Sequence, residues 1–177
     1  MKNKNRKAKI LEQGFTLIEL LVVVAVFMIL AVLVTNSLFS ILKSNTKANI
    51  MKEIRQNGAY ALDVMDKTIS ASVIDDAACT GTAGSSLTVK NPVSGATVTF
   101  TCDDSSDPAY IASDGAQLTS PTVTVENCPE VFRCEKIDSN KNKKVTINFT
   151  LKQRGSSTKP EETARETFTK TIFLRNK

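Results

Sequence analysis

The longest apolar run lies near the N-terminus. From Phe15 to Val34 there are 20 residues, of which only Thr16 and Glu19 are polar. As a helix rising about 1.5 Å per residue, the run crosses a hydrocarbon layer of roughly 30 Å. After Thr35, Asn36 and Ser37 the apolar character resumes at Leu38, Phe39, Ile41 and Leu42, and neither Pro nor Gly intervenes before Gly58. From Met51 onward Ile54, Ala61, Leu62, Met65, Ile69 and Val73 fall on one helical face, with Lys52, Arg55, Gln56, Asp63, Asp66, Lys67 and Ser70 on the others. Asp63 and Lys67 form a favourable i,i+4 pair. The reading is one helix from Phe15 to about Val73, about 90 Å long. Its second half should lie on a sheet, because so long an apolar stripe does not stay soluble when exposed.

Beyond Asp75 the period shortens to two. Strands are predicted over Leu87 to Lys90, Ala96 to Cys102, Thr122 to Glu126, Val131 to Ile137, Lys144 to Lys152 and Glu166 to Leu174. Val145, Ile147, Phe149 and Leu151 alternate with polar residues, so one face of the sheet is buried against the helix and the other is wet. Asn91-Pro92, Ser94-Gly95, Asp138-Ser139-Asn140 and the stretch from Gly155 to Pro160 mark the turns. The last two strands should form a hairpin with a mobile loop over about 153–165. This gives an α+β fold with four segments: a basic leader at 1–14, a membrane-spanning helix at 15–42, its amphipathic continuation at 43–74, and a β-rich domain at 75–177.

Charge changes the picture at the N-terminus. The formal net charge is +5, but the leader alone holds Lys2, Lys4, Arg6, Lys7 and Lys9 against Glu12, leaving 18 basic residues against 17 acidic ones in residues 15–177. The basicity therefore sets topology: it keeps the N-terminus in the cytoplasm and sends the rest outward. Glu19 is the exception inside the apolar run. A carboxylate there costs roughly 3 kcal/mol and calls for a partner.

The stretch Gly14-Phe15-Thr16-Leu17-Ile18-Glu19-Leu20-Leu21 resembles the processing site of type IV prepilins and pseudopilins. A basic leader, a Gly before an aromatic, a Glu four residues after that aromatic and an uninterrupted apolar run stand in the same order. The resemblance implies a pilin-like fold, cleavage between Gly14 and Phe15 by an aspartyl prepilin peptidase, and N-methylation of Phe15. It also implies a partner for Glu19 in subunit assembly, the freed N-terminal amine of a neighbouring subunit. Two opposite charges stripped of water attract strongly, and each is costly alone. An ordinary single-span anchor with a solvated Glu19 is the simpler alternative. A secretory leader would have a shorter apolar core than this one. Glu53 to Leu62 and the ending Ile172 to Asn176 resemble minor pilins, and Asn36 stands where major pilins often carry a Pro.

What the resemblance implies is a structural subunit that starts, caps or decorates a type IV pilus or a secretion or competence pseudopilus. It would be a substrate of a peptidase and a methyltransferase, with no catalytic residues of its own. It would sit in the membrane by one span with its domain outside, then in a filament on the cell envelope. Its partners would be other pilins or pseudopilins, prepilin peptidase, the inner-membrane assembly platform and, before assembly, lipid. A tip module that binds DNA, surfaces or another protein, and an anchored domain without a filament, are the rival classes.

Cys79, Cys102, Cys128 and Cys134 all fall in the outer domain, and the chain has no histidine. Paired zinc spacing is missing, so disulfides are the reading. Nearest neighbours in sequence favour Cys79–Cys102 and Cys128–Cys134. Residues 75–130 carry eight acids against Lys90 alone, while residues 136–154 are basic. Lys141, Lys143 and Lys144 are the lysines that DNA phosphates would meet, although no aromatic residue interleaves them. No cofactor or resident metal is expected. Asp103-Asp104-Ser105-Ser106-Asp107 is the stretch that would hold calcium loosely, and the turn at 138–143 lacks the Gly and closing Glu of a calcium loop. Asn148-Phe149-Thr150 is a formal glycosylation triplet in mid-strand.

Overall fold

The computed structural model describes residues 14, 16–137, 142–155 and 163–174. The leader at 1–13, Phe15, Lys141 and most of the loop expected over 153–165 lie outside the described residues. The chain divides into two compact units, Met1–Leu42 and Lys43–Lys177. Helix α1, Leu17–Ser70, contributes to both.

In the first unit α1 is bare. Its best window has a mean hydropathy of 3.2, and the side chains from Leu17 to Leu42 are exposed. The helix begins at Leu17 rather than at Phe15 because Thr16 caps it. The Thr16 Oγ1 accepts the Glu19 N–H at 3.3 Å, and the Thr16 carbonyl accepts the Leu20 N–H at 3.2 Å. Thr16-Leu17-Ile18-Glu19 has the spacing of a capping box.

In the second unit α1 buries Ile54, Gly58, Ala61, Met65 and Ile69, three or four residues apart, as the sequence pattern requires. The helix ends at Ser70, short of the expected Val73, because Val73 is recruited elsewhere. Its N–H and C=O both bond to Lys90, and Ser72 Oγ donates to the Thr68 carbonyl at 2.7 Å.

The strands are β1 (Ala83–Gly84), β2 (Ser86–Lys90), β3 (Thr97–Asp103), β4 (Tyr110–Ser113), β5 (Ala116–Gln117), β6 (Val123–Glu126), β7 (Phe132–Lys136), β8 (Lys143–Gln153) and β9 (Arg165–Leu174). They form two antiparallel sheets rather than one. β9 pairs along β8 from Lys143 to Lys152, so β7 and β6 follow one another on the opposite edge, against residues 143–147 and 150–153; β1 pairs with β7. The second sheet is the meander β2-β3-β4-β5. Val145, Ile147, Phe149 and Leu151 face a common core with Ile54, Met65, Ile69, Phe100 and Ile111, while Asn148 on the other face is exposed.

The disulfides are Cys79–Cys134 and Cys102–Cys128, which corrects the pairing of sequence neighbours. After α1 a 3-10 turn at Asp76–Ala78 and a bond from Gly81 N–H to the Cys134 carbonyl lay the loop beside β7, 4.5 Å between the Cys79 and Cys134 Cα atoms. Asn127, left-handed at φ 62°, turns the chain into a second 3-10 turn, and Cys128 meets Cys102 near the end of β3. Each bridge therefore closes a tertiary contact.

Candidate functional site

The residues singled out for processing lie at the foot of the stem. Gly14 is exposed, and among the described residues nothing lies within 4 Å of where its Cβ would be. Two residues on, Thr16 holds the first turn of α1. Glu19, exposed in that turn, stands where the helix N-terminus favours a carboxylate. Thr16 was not among the residues singled out above, although its spacing to Glu19 is readable as a cap.

The lysines do not make a phosphate-binding row. Lys143 is only 9% exposed, and its ammonium donates to the Ile74 carbonyl and pairs with Asp76 at 2.8 Å. Its expected role in DNA contact is therefore corrected: the side chain points inward because its place on β8 belongs to the core face. Lys144, on the opposite face, pairs with Glu135 at 2.5 Å. That ammonium, as a hydrogen-bond donor, holds the Glu135 carboxyl below its usual range. Lys141 lies outside the described residues.

The acidic stretch after β3 is likewise engaged. Asp103 accepts from the Ser105 hydroxyl at 2.6 Å, the Ser105 N–H at 2.9 Å and the Tyr110 hydroxyl at 3.0 Å. These bonds, the Ser105 hydroxyl first, lower its pKa. Among the described residues no three Asp, Glu, Cys or His side chains converge as metal ligands.

An apolar helix with a capped foot, joined in sequence to a disulfide-braced head of antiparallel sheets, is an α+β pilin-like fold whose helix is long and apolar enough to cross a membrane once. Residues 11–35 match the family model for the prokaryotic N-terminal methylation motif, the signature of type IV prepilins and pseudopilins and the mark of a prepilin peptidase substrate. No curated protein and no solved structure matches the chain.

Proposed function

We propose that this protein is a minor pilin or pseudopilin, a structural subunit that starts, caps or decorates a type IV pilus or a secretion or competence pseudopilus. The observation that carries the reading is the methylation motif at 11–35 set on an exposed apolar stem. Prepilin peptidase cuts between Gly14 and Phe15 at the cytoplasmic face, and the new N-terminus at Phe15 is methylated. Glu19 then receives the amine of a neighbouring subunit, which neutralises both charges in an apolar filament core. Minor status draws on the Glu53 to Leu62 stretch, the C-terminal strand and the Asn36 substitution.

Intact mass and N-terminal sequencing of the chain from its native cells test the reading. A start at methylated Phe15 supports it. A start at Met1 reduces the stem to an anchor, and a start near Leu38 makes it a secretory leader.

A further inference from the structure

Glu19 and Lys43 are the charged residues that bound the stem's apolar run, with none between them. The 23 intervening residues span about 35 Å as a helix, slightly more than the roughly 30 Å of hydrocarbon. Asn36 lies seven residues before Lys43, about 10 Å along the axis. With the Lys43 ammonium at the headgroups, the Asn36 amide sits inside the hydrocarbon edge. Its neighbour Thr35 is satisfied by the Ala31 carbonyl at 2.7 Å. The exposed Asn36 side chain has no hydrogen bond among the described residues. In lipid an amide in that position seeks a polar group on another helix.

Its angular position on α1 is equally informative. Val22, Ala25, Ile29, Val32, Asn36 and Phe39 recur at alternating intervals of three and four, which is the seam of a left-handed helix pair. Val22 and Ile29 share the heptad position of Asn36, where a single polar residue among apolar ones fixes register and oligomer state. Every face of the stem is apolar, so the asparagine and not the hydrophobicity selects this one.

We propose that this face pairs two copies of the stem in parallel within the membrane, with the two Asn36 amides hydrogen-bonded to each other. A second copy is the occupant for three reasons. Its Asn36 lies at the same depth, both stems insert with the same orientation through their basic leaders, and an amide both donates and accepts. The pairing rests on the stem being a membrane span and is independent of any filament.

All four native cysteines are in disulfides, so one added cysteine reports stem contacts. The full chain is expressed in a host without other pilins and oxidised in its membranes. Val32→Cys and Phe39→Cys probe the seam, and Val34→Cys and Ile41→Cys probe the back. Covalent dimers should be several times more abundant at the seam, and adding Asn36→Val should reduce them about three- to tenfold, with Asn36→Gln restoring part. Equal crosslinking at all four positions, or undiminished crosslinking with Asn36→Val, overturns the pairing while the chain stays in the membrane. Release of the chain by carbonate overturns the membrane-span reading itself, and the pairing with it. Asn36→Val makes the span more apolar, so failed insertion does not explain a loss.

Discussion

The hydroxyl of Tyr110 and the carboxylate of Asp103 hold one another in opposite titration ranges. Donation to Asp103 raises the Tyr110 phenol above its ordinary 10.0, while the Ser105 donors, with Tyr110, depress Asp103 below 3.8. Asp103 therefore contributes stability that is present above the ordinary carboxylate range and lost as pH falls through its lower folded value. The Tyr110 contribution is complete below the ordinary phenol value and lost as pH rises through its higher folded one. In a Tyr60→Phe background, Asp103→Asn should move the Tyr110 midpoint down toward 10.0 in a phenolate absorbance titration; an unchanged midpoint would mean the bond is not formed in solution. Lys143 permits a second test. Lys143→Met removes the donor to the Ile74 carbonyl and the ion pair with Asp76, and should cost about 1–3 kcal/mol in urea unfolding. A lysine serving DNA would instead leave stability unchanged and weaken retention on phosphate.

Gly58 is the contact that lets α1 approach β9. A Cβ placed there would collide with the ring edge of Phe168 at Cζ, and that ring stacks on Phe149 with centroids 5.4 Å apart. Gly58→Ala gains up to about 1 kcal/mol of helix propensity but forces the ring aside, an overpacking cost of about 1–3 kcal/mol. The expected result is net destabilisation that shrinks when Phe168→Leu is added, measured as a double-mutant cycle. In sequence Gly58 shares the helical face of Ile54, Ala61 and Met65, but its partner, 110 positions away, cannot be read from that spacing. The same division holds for the strands. β2, β3 and β6 to β9 are legible because Leu87 and Val89, or Val145 to Leu151, alternate over enough residues. β4 is not, since Ile111 and Ala112 are adjacent and both buried, and β1 and β5, at two residues each, have no period to read. Disulfide pairing escapes sequence because it depends on which loop lies beside which strand. Removing either bridge by paired Cys→Ser substitution should cost roughly 3–4 kcal/mol in the chain-entropy picture. Non-reducing peptide mapping should recover Cys79 with Cys134 and Cys102 with Cys128.

Over the whole molecule, the acidic and basic stretches of the head that look dipolar in sequence meet in part in the fold, through the described basic residues of 143–154. Lys143 pairs with Asp76, Lys144 with Glu135, Lys152 with Glu126 and Arg154 with Asp107. Most of these are surface pairs worth at most about 1 kcal/mol each, and in the acidic stretch Asp103 and Asp114 accept hydrogen bonds from Ser105 and Thr99. The chemistry that would direct assembly through processing lies at the foot of the stem, where Gly14 to Glu19 was legible as covalent sequence and the fold adds the Thr16 cap. If assembly depends on Glu19 receiving a neighbour's amine, Glu19→Ala should insert at least as well as the parent, because it removes a charge costing roughly 3 kcal/mol from the membrane. It should then fail to enter filaments, since the amine of the adjoining subunit is left buried and unpaired, at roughly 3–5 kcal/mol. Sheared filaments probed for the subunit, with membrane levels as the reference, make the comparison. Thr16→Ala, which removes only the cap, should reduce incorporation less, by an amount in line with about 1 kcal/mol. Normal incorporation of Glu19→Ala would remove the carboxylate from the assembly mechanism and leave apolar stem packing to carry it alone.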